Sequence, residues 1–275
     1  MTYGTPATNN APTKPVTIHT LRTLKEQGDK FAVIALYDAV MSAIAERNGI
    51  EIVLVGDSLG MTVQGHNSTL PVTMEHMLYH VANVARGARH ALVLADLPFM
   101  SYATPDDALH NCARIMQAGA HMVKLEGGAW LEDTVRQLSE RGIPVCAHLG
   151  LTPQSVNKFG GFRVQGRNDS EASAILQAAI TLAEAGADVL LLECVPASLA
   201  GEITRRVKVP VIGIGAGRET DAQVLVINDI LGLTERAPKF SKNFLQQGGN
   251  IAAAIAQYAA DVKSGVFPSD ENIFL

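Results

Sequence analysis

Five apolar runs, each closing in a charged residue, a histidine or a glycine, constrain this chain more than any other feature of its sequence. They are VLVGDS (53–58), LVLADLP (92–98), MVKLEGG (122–128), VCAHLG (145–150) and VLLLEC (189–194). Runs rich in Val, Leu and Ile without strict alternation are typical of strands buried on both faces of a parallel sheet. In a barrel built from such strands the active site forms where the strands end, so the closing residues are the candidates for chemistry.

Eight strands can be placed along the chain, at residues 31–37, 52–56, 91–96, 122–126, 145–148, 189–193, 211–214 and 223–227. Helices are expected between them, for example at 104–118, 130–141 and 171–185. A helix at 18–27 can plug the bottom of a barrel, and further helices are expected at 238–244 and along the stripe Ile251, Ile255, Tyr258 and Val262. The pattern predicts an α/β protein, a single (β/α)8 barrel domain over residues 16–275 with extra terminal helices, behind a disordered tail at 1–15.

Composition narrows the class of partner. The net charge is -5 and no block of Lys or Arg occurs, which argues against nucleic acid or an acidic membrane and favours a small molecule. No apolar leader and no apolar run of about 18 residues is present, so we expect a cytoplasmic protein. Cys112, Cys146 and Cys194 are odd in number and far apart, which predicts reduced core thiols.

Asp57, Asp96 and Glu126 end three successive predicted strands, and a closed barrel brings such ends to one side of its mouth. Carboxylate oxygens gathered there suit Mg²⁺, which takes one or two protein carboxylates and keeps water or substrate oxygens in its other positions. A single acid at a strand end is more often a helix cap. Three in succession favour a metal site.

Lys124 lies two residues before Glu126, so strand alternation points both side chains into the barrel interior. A buried ammonium group needs a carboxylate or an anionic substrate beside it. A lysine in this position can also form a Schiff base with a carbonyl substrate. Nearby acids keep the ammonium protonated, which favours the ionic role over the covalent one.

Glu193 closes the sixth strand behind three leucines, across the barrel from the acids, and such an apolar setting favours a general base. It is the preferred proton acceptor, and a rim ion pair is the competing interpretation. His148 is an alternative base, or a residue that shapes the pocket. The glycine run at 213–217 can bind phosphate through backbone amides, or keep a loop small beside a bulky ligand.

With these residues in view, the chain closely resembles the ketopantoate hydroxymethyltransferase family over residues 18–267. The resemblance is carried by VGDSLGMTVQGHNSTLPVT (55–73), ADLPFMSYATP (95–105), MVKLEGG (122–128), VCAHLGLTPQSVNKFGGFRVQGR (145–167), LLECVP (191–196) and PVIGIGAG (210–217). Stretches of this length leave little room for chance similarity. The extended N-terminal tail and Ser241 depart from the family pattern, away from the proposed chemistry.

The resemblance implies a (β/α)8 enzyme that transfers the one-carbon unit of 5,10-methylenetetrahydrofolate to 3-methyl-2-oxobutanoate. Metal-assisted enolisation and aldol-type addition would give 2-dehydropantoate for pantothenate and coenzyme A synthesis. The implied roles are Mg²⁺ binding by Asp57, Asp96 and Glu126, keto-acid binding by Asp57, Ser58, Asp96 and Lys124, and proton abstraction by Glu193. Family members form large homo-oligomers, commonly decamers, which implies the same here.

Two other functions remain open at this point. A metal-dependent lyase or mutase of the phosphoenolpyruvate/isocitrate lyase type would use the same acids and the glycine run, although the sequence lacks a KKCGH-like segment. A keto-acid sensor would need the pocket and no base. The polar, glycine-containing loop at 61–69 is predicted to move as a lid over any of these sites.

Overall fold

The computed structural model describes residues 12–274, and their eight parallel strands form a closed barrel in chain order. The strands are β1 (Phe31–Ala35), β2 (Ile52–Val55), β3 (Leu92–Asp96), β4 (Met122–Glu126), β5 (Val145–Gly150), β6 (Val189–Glu193), β7 (Val211–Ile214) and β8 (Ala222–Val226). Nearly all of their residues are buried, because the barrel interior covers one face and the outer helices cover the other. The predicted fold class is confirmed. Most of the tail predicted at 1–15 lies outside the described residues.

Helices surround the barrel, and their starts follow ordinary capping rules. In the described part of the chain they are α1 (Ile18–Gln27), α2 (Ala39–Arg47), α3 (Leu59–Thr62), α4 (Met74–Gly87), α5 (Pro105–Gln117), α6 (Glu132–Glu140), α7 (Val156–Phe159), α8 (Asp169–Glu184), α9 (Ala197–Arg206), α10 (Ile227–Ile230), α11 (Leu245–Gly248) and α12 (Ile251–Lys263). The Thr104 side chain accepts the Asp107 N–H at the start of α5, where Pro105 takes the first helical position. The helices expected near 104–118, 130–141 and 171–185 are therefore confirmed to within a few residues.

Helix α1 closes the N-terminal end of the barrel. Its Leu21 is fully buried among the inner side chains that begin the strands, including Phe31 and Ile52. The Lys25 ammonium lies 2.8 Å from the Asp221 carboxylate, which ties the helix to the start of β8. The predicted plug is confirmed, so the opposite end of the barrel is the one left for a site.

The segment 238–244 is not helical, contrary to expectation. The Asn243 side-chain oxygen accepts the N–H groups of Leu245 and Gln246, at 3.0 and 3.4 Å, and so starts a short helix only at Leu245. Phe244 is buried between the rings of Tyr258 and Phe267. The apolar residues of this segment therefore fill the core without forming a helical stripe.

Helix α12 covers β1 from outside, next to a gap in the ring of helices. The described residues between β7 and β8 contain no helix, so this crossover is shorter than the others. The buried Tyr258 hydroxyl of α12 lies 2.9 Å from the carbonyl oxygens of both Val33 and Gln223. The predicted apolar stripe is confirmed at its three later positions, whereas Ile251 is 38% exposed.

Two expectations from composition can be compared with the fold. The three cysteines are buried and free, and burial raises the pKa of Cys112 and of Cys146 to about 12, so both remain neutral thiols. In residues 12–274, no helix has the length and apolarity that crossing a membrane requires.

Candidate functional site

Three buried carboxylates meet at the C-terminal end of the barrel. Asp96 and Glu126 are the last residues of β3 and β4, and Asp57 follows β2 by two residues. One oxygen from each lies within 4.8 Å of the chosen oxygens of the other two. The structure thus brings together the acids selected from the strand ends, and carboxylate oxygens at such spacings can hold a metal ion.

Each of these carboxylates has one oxygen held by an N–H group. The backbone N–H of Asp57 donates to Asp96 Oδ2 at 3.0 Å, and that of Gln154 donates to Glu126 Oε2 at 2.9 Å. The side-chain amide of Gln154 donates to Asp57 Oδ2 at 2.8 Å. The other oxygen of Asp96, Oδ1, is buried and makes no hydrogen bond of good geometry; it faces the Lys124 ammonium at 3.1 Å, and a metal ion would share it with that group.

Lys124 lies between the acids and a histidine. Its Nζ is 3.1 Å from Asp96 Oδ1, an ion-pair distance without the alignment of a hydrogen bond, and 3.5 Å from Glu126 Oε1. Burial lowers the pKa of Lys124, but the charges of Asp96, Glu126 and Asp57 raise it more, so the net direction is upward. The ammonium stays charged, as the ionic interpretation of the sequence requires, and this opposes the neutral amine that a Schiff base needs.

The acids themselves are perturbed in different directions. Burial raises the pKa of Asp57 well above its ordinary value, and the charges of Glu126 and Asp96 add to the effect. Burial also raises the pKa of Asp96, although Lys124 opposes it. For Glu126 the upward effect of burial is outweighed by Lys124, His148 and the Gln154 N–H, and its pKa is lowered. Three ionised acids beside one ammonium group would leave excess negative charge, and the raised pKa values of Asp57 and Asp96 indicate that the site favours binding a proton or a cation.

His148 connects this cluster to Glu193. Its Nδ1 is 3.0 Å from Lys124 Nζ and 3.4 Å from Glu126 Oε1, and its Nε2 is 3.3 Å from Glu193 Oε2. Because Lys124 can only donate, Nδ1 accepts and the proton of a neutral imidazole sits on Nε2, facing Glu193. Burial and Lys124 lower the pKa of His148, and its interactions with Glu126 and Glu193 raise it more.

The position of Glu193 corrects one expectation. The sequence placed it in an apolar setting across the barrel, whereas the structure puts a single imidazole between it and the acid cluster. Gly150 lies against the main chain of Glu193, where its φ is +91° and a Cβ would lie 2.3 Å from the Glu193 carbonyl oxygen. The Glu193 side chain remains 15% exposed, towards the cavity.

A cavity of about 810 Å³ opens above these groups. Its floor contains the acids, Lys124, His148 and Glu193. The loop predicted to act as a lid contributes Met61, Thr62 and Thr69 to the wall. The outer wall is aromatic and basic, and is formed in part by Phe162, Arg163, Arg167, Arg236, Lys239, Phe240 and Phe274.

Ser58 follows Asp57 and borders the same cavity. Its Oγ is 2.9 Å from the hydroxyl of Tyr37, and either oxygen can be the donor. Burial raises the pKa of Tyr37 to about 12, so this phenol is neutral. Ser58, the predicted substrate-binding residue, therefore presents an uncharged hydroxyl to the cavity, with Tyr37 as its hydrogen-bond partner.

The glycine run at 213–217 packs against the chain itself. A Cβ at Gly215 would lie 2.9 Å from the Phe240 ring, and one at Gly217 would lie 2.6 Å from the Ala197 methyl group. The backbone is left-handed at both, with φ of +59° and +81°. Internal packing therefore accounts for these glycines without the phosphate or ligand approach that the sequence suggested.

Two residues of the site were missed from the sequence. Gln154 holds two of the three acids, and the Tyr102 hydroxyl lies 2.5 Å from Gln154 Oε1. Both lie in irregular segments, where no periodicity marks a residue as buried. The available signal was that Gln154 follows β5 closely, at the end of the barrel where the site forms.

The fold and the site define an α/β-barrel enzyme with a candidate metal centre. Among solved structures, a phosphonopyruvate hydrolase complexed with oxalate and Mg²⁺ aligns with a TM-score of 0.61 at 13% identity, covering 93% of this chain and 92% of that chain. A 2,3-dimethylmalate lyase, a member of the PEP mutase/isocitrate lyase superfamily, aligns with a TM-score of 0.57 at 17% identity, covering 78% of this chain and 81% of that chain. Identities this low show a shared fold alone.

The sequence comparisons are more specific. The family model described as ketopantoate hydroxymethyltransferase matches residues 15–270. The chain is 63% identical over 261 residues to the 3-methyl-2-oxobutanoate hydroxymethyltransferase of Saccharophagus degradans, covering 95% of this chain and 97% of that protein. It is 58% identical to the enzyme of the same name from Cronobacter sakazakii, covering 95% of this chain and 99% of that protein. The chain belongs to the ketopantoate hydroxymethyltransferase family, and the recognition made from its motifs is confirmed.

Proposed function

We propose that this enzyme transfers the one-carbon unit of 5,10-methylenetetrahydrofolate to 3-methyl-2-oxobutanoate, giving 2-dehydropantoate. The observation that carries the proposal is the continuous line of groups from the acid cluster through Lys124 and His148 to Glu193, on the floor of one cavity. The names of the relatives support the keto acid as substrate. A role in cytoplasmic synthesis of pantothenate and coenzyme A belongs to the same proposal.

The metal of the proposal is Mg²⁺, held by Asp57, Asp96 and Glu126. Three features fit it: hard oxygen donors, an Asp96 oxygen without a hydrogen bond, and more negative charge than Lys124 alone can neutralise. When bound, the ion supplies Lewis-acid polarisation of the keto group, which acidifies the neighbouring carbon. The lyase or mutase alternative shares the fold of the solved structures, but the sequence relatives do not support it.

The protein groups have distinct tasks in this reaction. The Lys124 ammonium and the Ser58 hydroxyl bind the keto acid, and Lys124 places positive charge beside the oxygen on which charge develops. Glu193 accepts the proton from C3 of the keto acid, and His148 lies beside it, with Nε2 3.3 Å from Glu193 Oε2. The C3 carbanion equivalent then forms the new C–C bond with the methylene carbon, whose two C–N bonds to the folate break. Water supplies the hydroxyl group of the product, and its second proton, with the one taken up by Glu193, returns to the two folate nitrogens as tetrahydrofolate leaves.

The outer cavity suits a second, larger substrate. A volume of about 810 Å³ is that of a site for a drug-sized ligand, far more than the small keto acid fills. Arg163, Arg167 and Arg236 line it and form no ion pair within residues 12–274. Folate carries an aromatic pterin and a carboxylate-bearing tail, which match the aromatic and basic residues of this wall.

Assembly into a homo-oligomer, a decamer by family resemblance, is part of the proposal. Val40, Tyr79, Trp130 and Val266 are each more than 60% exposed, and burial between subunits would remove their apolar surface from water. Light scattering of the purified protein should give a mass near ten times the 29.2 kDa of the chain. A mass equal to that of one chain would contradict this part of the proposal.

The decisive experiment is deuterium exchange at C3 of 3-methyl-2-oxobutanoate, followed by NMR with the wild type, Glu193→Gln and the exposed control Glu140→Gln. We expect exchange that requires Mg²⁺ and falls at least about a hundredfold in Glu193→Gln, the low end of general-base effects, with the control unchanged. Exchange in excess chelator would shift the mechanism to a Lys124 Schiff base. No exchange by the wild type, with metal and with tetrahydrofolate present, would overturn the proposed function.

A further inference from the structure

Gln154, which the sequence did not single out, makes two hydrogen bonds to the acid cluster. It lies in the short turn Pro153–Ser155 after β5 and is 6% exposed. Its backbone N–H donates to Glu126 Oε2 at 2.9 Å. Its side-chain amide donates one proton to Asp57 Oδ2 at 2.8 Å and the other to the Leu97 carbonyl oxygen at 2.9 Å. A single residue thus holds two of the three carboxylates.

Tyr102, Asp57 and the Leu97 carbonyl together set which way the Gln154 amide faces. The Tyr102 hydroxyl oxygen is 2.5 Å from Gln154 Oε1, and burial, followed by the Glu126 charge, raises the pKa of this phenol. The phenol is therefore neutral. Its one proton has two acceptors within reach, Gln154 Oε1 at 2.5 Å and the Glu126 carbonyl oxygen at 3.1 Å, and the shorter distance favours the amide oxygen. In a reversed amide, Oε1 would face the Asp57 carboxylate and the Leu97 carbonyl oxygen. All three groups are hydrogen-bond acceptors, and the Leu97 carbonyl oxygen would lose its donor. The hydrogen-bonding groups thus permit one orientation of the amide.

We propose that Gln154, oriented by Tyr102, is a positioning residue that fixes Asp57 and Glu126 for metal binding. Gln154 is not a ligand, because its amide oxygen is occupied by Tyr102 and both amide protons have acceptors. Its effect is on the ligands: each acid keeps one oxygen in a fixed hydrogen bond, so the carboxylate plane is set before the metal arrives. The inference rests on the proposed metal centre, and on no other part of the proposed function.

The size of the effect follows from the chemistry of such partners. Residues that hydrogen-bond to metal ligands typically change metal affinity about 10- to 100-fold when removed. Gln154→Ala leaves the backbone bond to Glu126 and removes the bond to Asp57, whose buried carboxylate can then rotate. Tyr102→Phe leaves the Gln154 amide in place and removes the group that orients it, so its effect should have the same sign and be smaller.

The test measures Mn²⁺ binding by the EPR signal of the free ion, with the full chain and no substrate. The variants are Gln154→Ala, Tyr102→Phe, the double variant, and Gln223→Ala as a matched control. Gln223 is also buried, at 4% exposure, and its amide bonds to the Gly217 carbonyl and to Thr220, away from the acid cluster. Thermal unfolding in chelator is recorded for each, so that metal affinity and stability are separated.

We expect Gln154→Ala to weaken Mn²⁺ binding about 10- to 100-fold and Tyr102→Phe to weaken it less. The double variant should lose less than the sum of the two single losses, because Tyr102 acts mainly through the amide, beside its own contact with the Glu126 carbonyl oxygen at 3.1 Å. Gln223→Ala should bind Mn²⁺ as the wild type does. Wild-type affinity in Gln154→Ala would overturn the inference, as would additive losses in the double variant. If Gln154→Ala does not fold, unchanged binding by Tyr102→Phe overturns it. Failure of the wild type to bind Mn²⁺ would overturn the metal centre itself.

Discussion

Replacing Lys124 by Met should destabilise the metal-free protein and make it respond more strongly to Mg²⁺. Lys124 Nζ lies 3.1 Å from Asp96 Oδ1 and 3.5 Å from Glu126 Oε1. At an effective dielectric constant of about 20, each contact is worth about 5 kcal/mol of Coulomb attraction before the cost of burying the charges. After that cost, removing one partner of a buried ion pair typically destabilises by about 3–5 kcal/mol.

The contribution of Lys124 to folding stability depends on pH. Because the pKa of Lys124 is raised in the folded state, its stabilisation is fully present below its unfolded-state pKa, near 10.5, and is lost only above it. The lysine is therefore charged at every pH near neutrality. In Lys124→Met the carboxylates lose this partner and bind protons more readily. The variant should therefore approach wild-type stability as the pH is lowered from about 8 to about 5.

Thermal unfolding by circular dichroism, in chelator and in saturating Mg²⁺, measures both effects. A loss of about 3–5 kcal/mol corresponds to a fall in Tm of about 10 °C for a chain of this size. Added Mg²⁺ should recover most of that fall, because its charge replaces the ammonium. Lys158→Met, which removes an exposed lysine, is the control. A fall below about 2 °C in chelator, or equal Mg²⁺ shifts in variant and wild type, would refute the reasoning.

Three further predictions concern other parts of the chain. Glu46 Oε2 accepts hydrogen bonds from three backbone N–H groups ahead of β3, at 2.7, 2.6 and 2.9 Å. Glu46→Ala should therefore lower the free energy of unfolding, measured in urea, by about 3 kcal/mol, and Glu46→Gln should lower it less. Burial raises the pKa of Asp229, so this carboxylate costs stability above its unfolded pKa; the stability gained by Asp229→Asn should grow from about pH 4 to neutrality. A gain independent of pH would contradict that assignment. Combined Arg163→Gln and Arg236→Gln substitutions should raise KM for methylenetetrahydrofolate about fivefold, from about 0.5 kcal/mol per exposed ion pair, and leave C3 exchange unchanged.

The sequence was most informative where buried strands end in polar residues. Strands β2, β3 and β4 each bring one acid to the barrel mouth, and β4 adds Lys124 two residues before its acid, which is why Asp57, Asp96, Glu126 and Lys124 could be brought together in advance. Side chains alternate between the two faces of a strand, so the spacing of these residues predicts the face on which each lies. The roles assigned to these residues in binding and catalysis remain predictions.

Where the prediction fell short, distant segments determine the structure. Gln154 acts because a turn after β5 returns it to acids that end β2 and β4, a contact that no local spacing encodes. The setting of Glu193 depends on the adjacent strand, which supplies His148. The helix expected at 238–244 is absent, and a short helix begins only at Leu245, whose N–H donates to the Asn243 side chain.

Two of the three N–H groups that hold the acids belong to the main chain, at Asp57 and Gln154. A designer who grafted only the side chains of this site onto another barrel would therefore transfer the charges without the scaffold that aims them. The graft would have to carry the peptide planes at positions 57 and 154 as well. Within the native chain, a substitution at position 57 or 154 cannot remove these backbone N–H donors unless the new residue is proline.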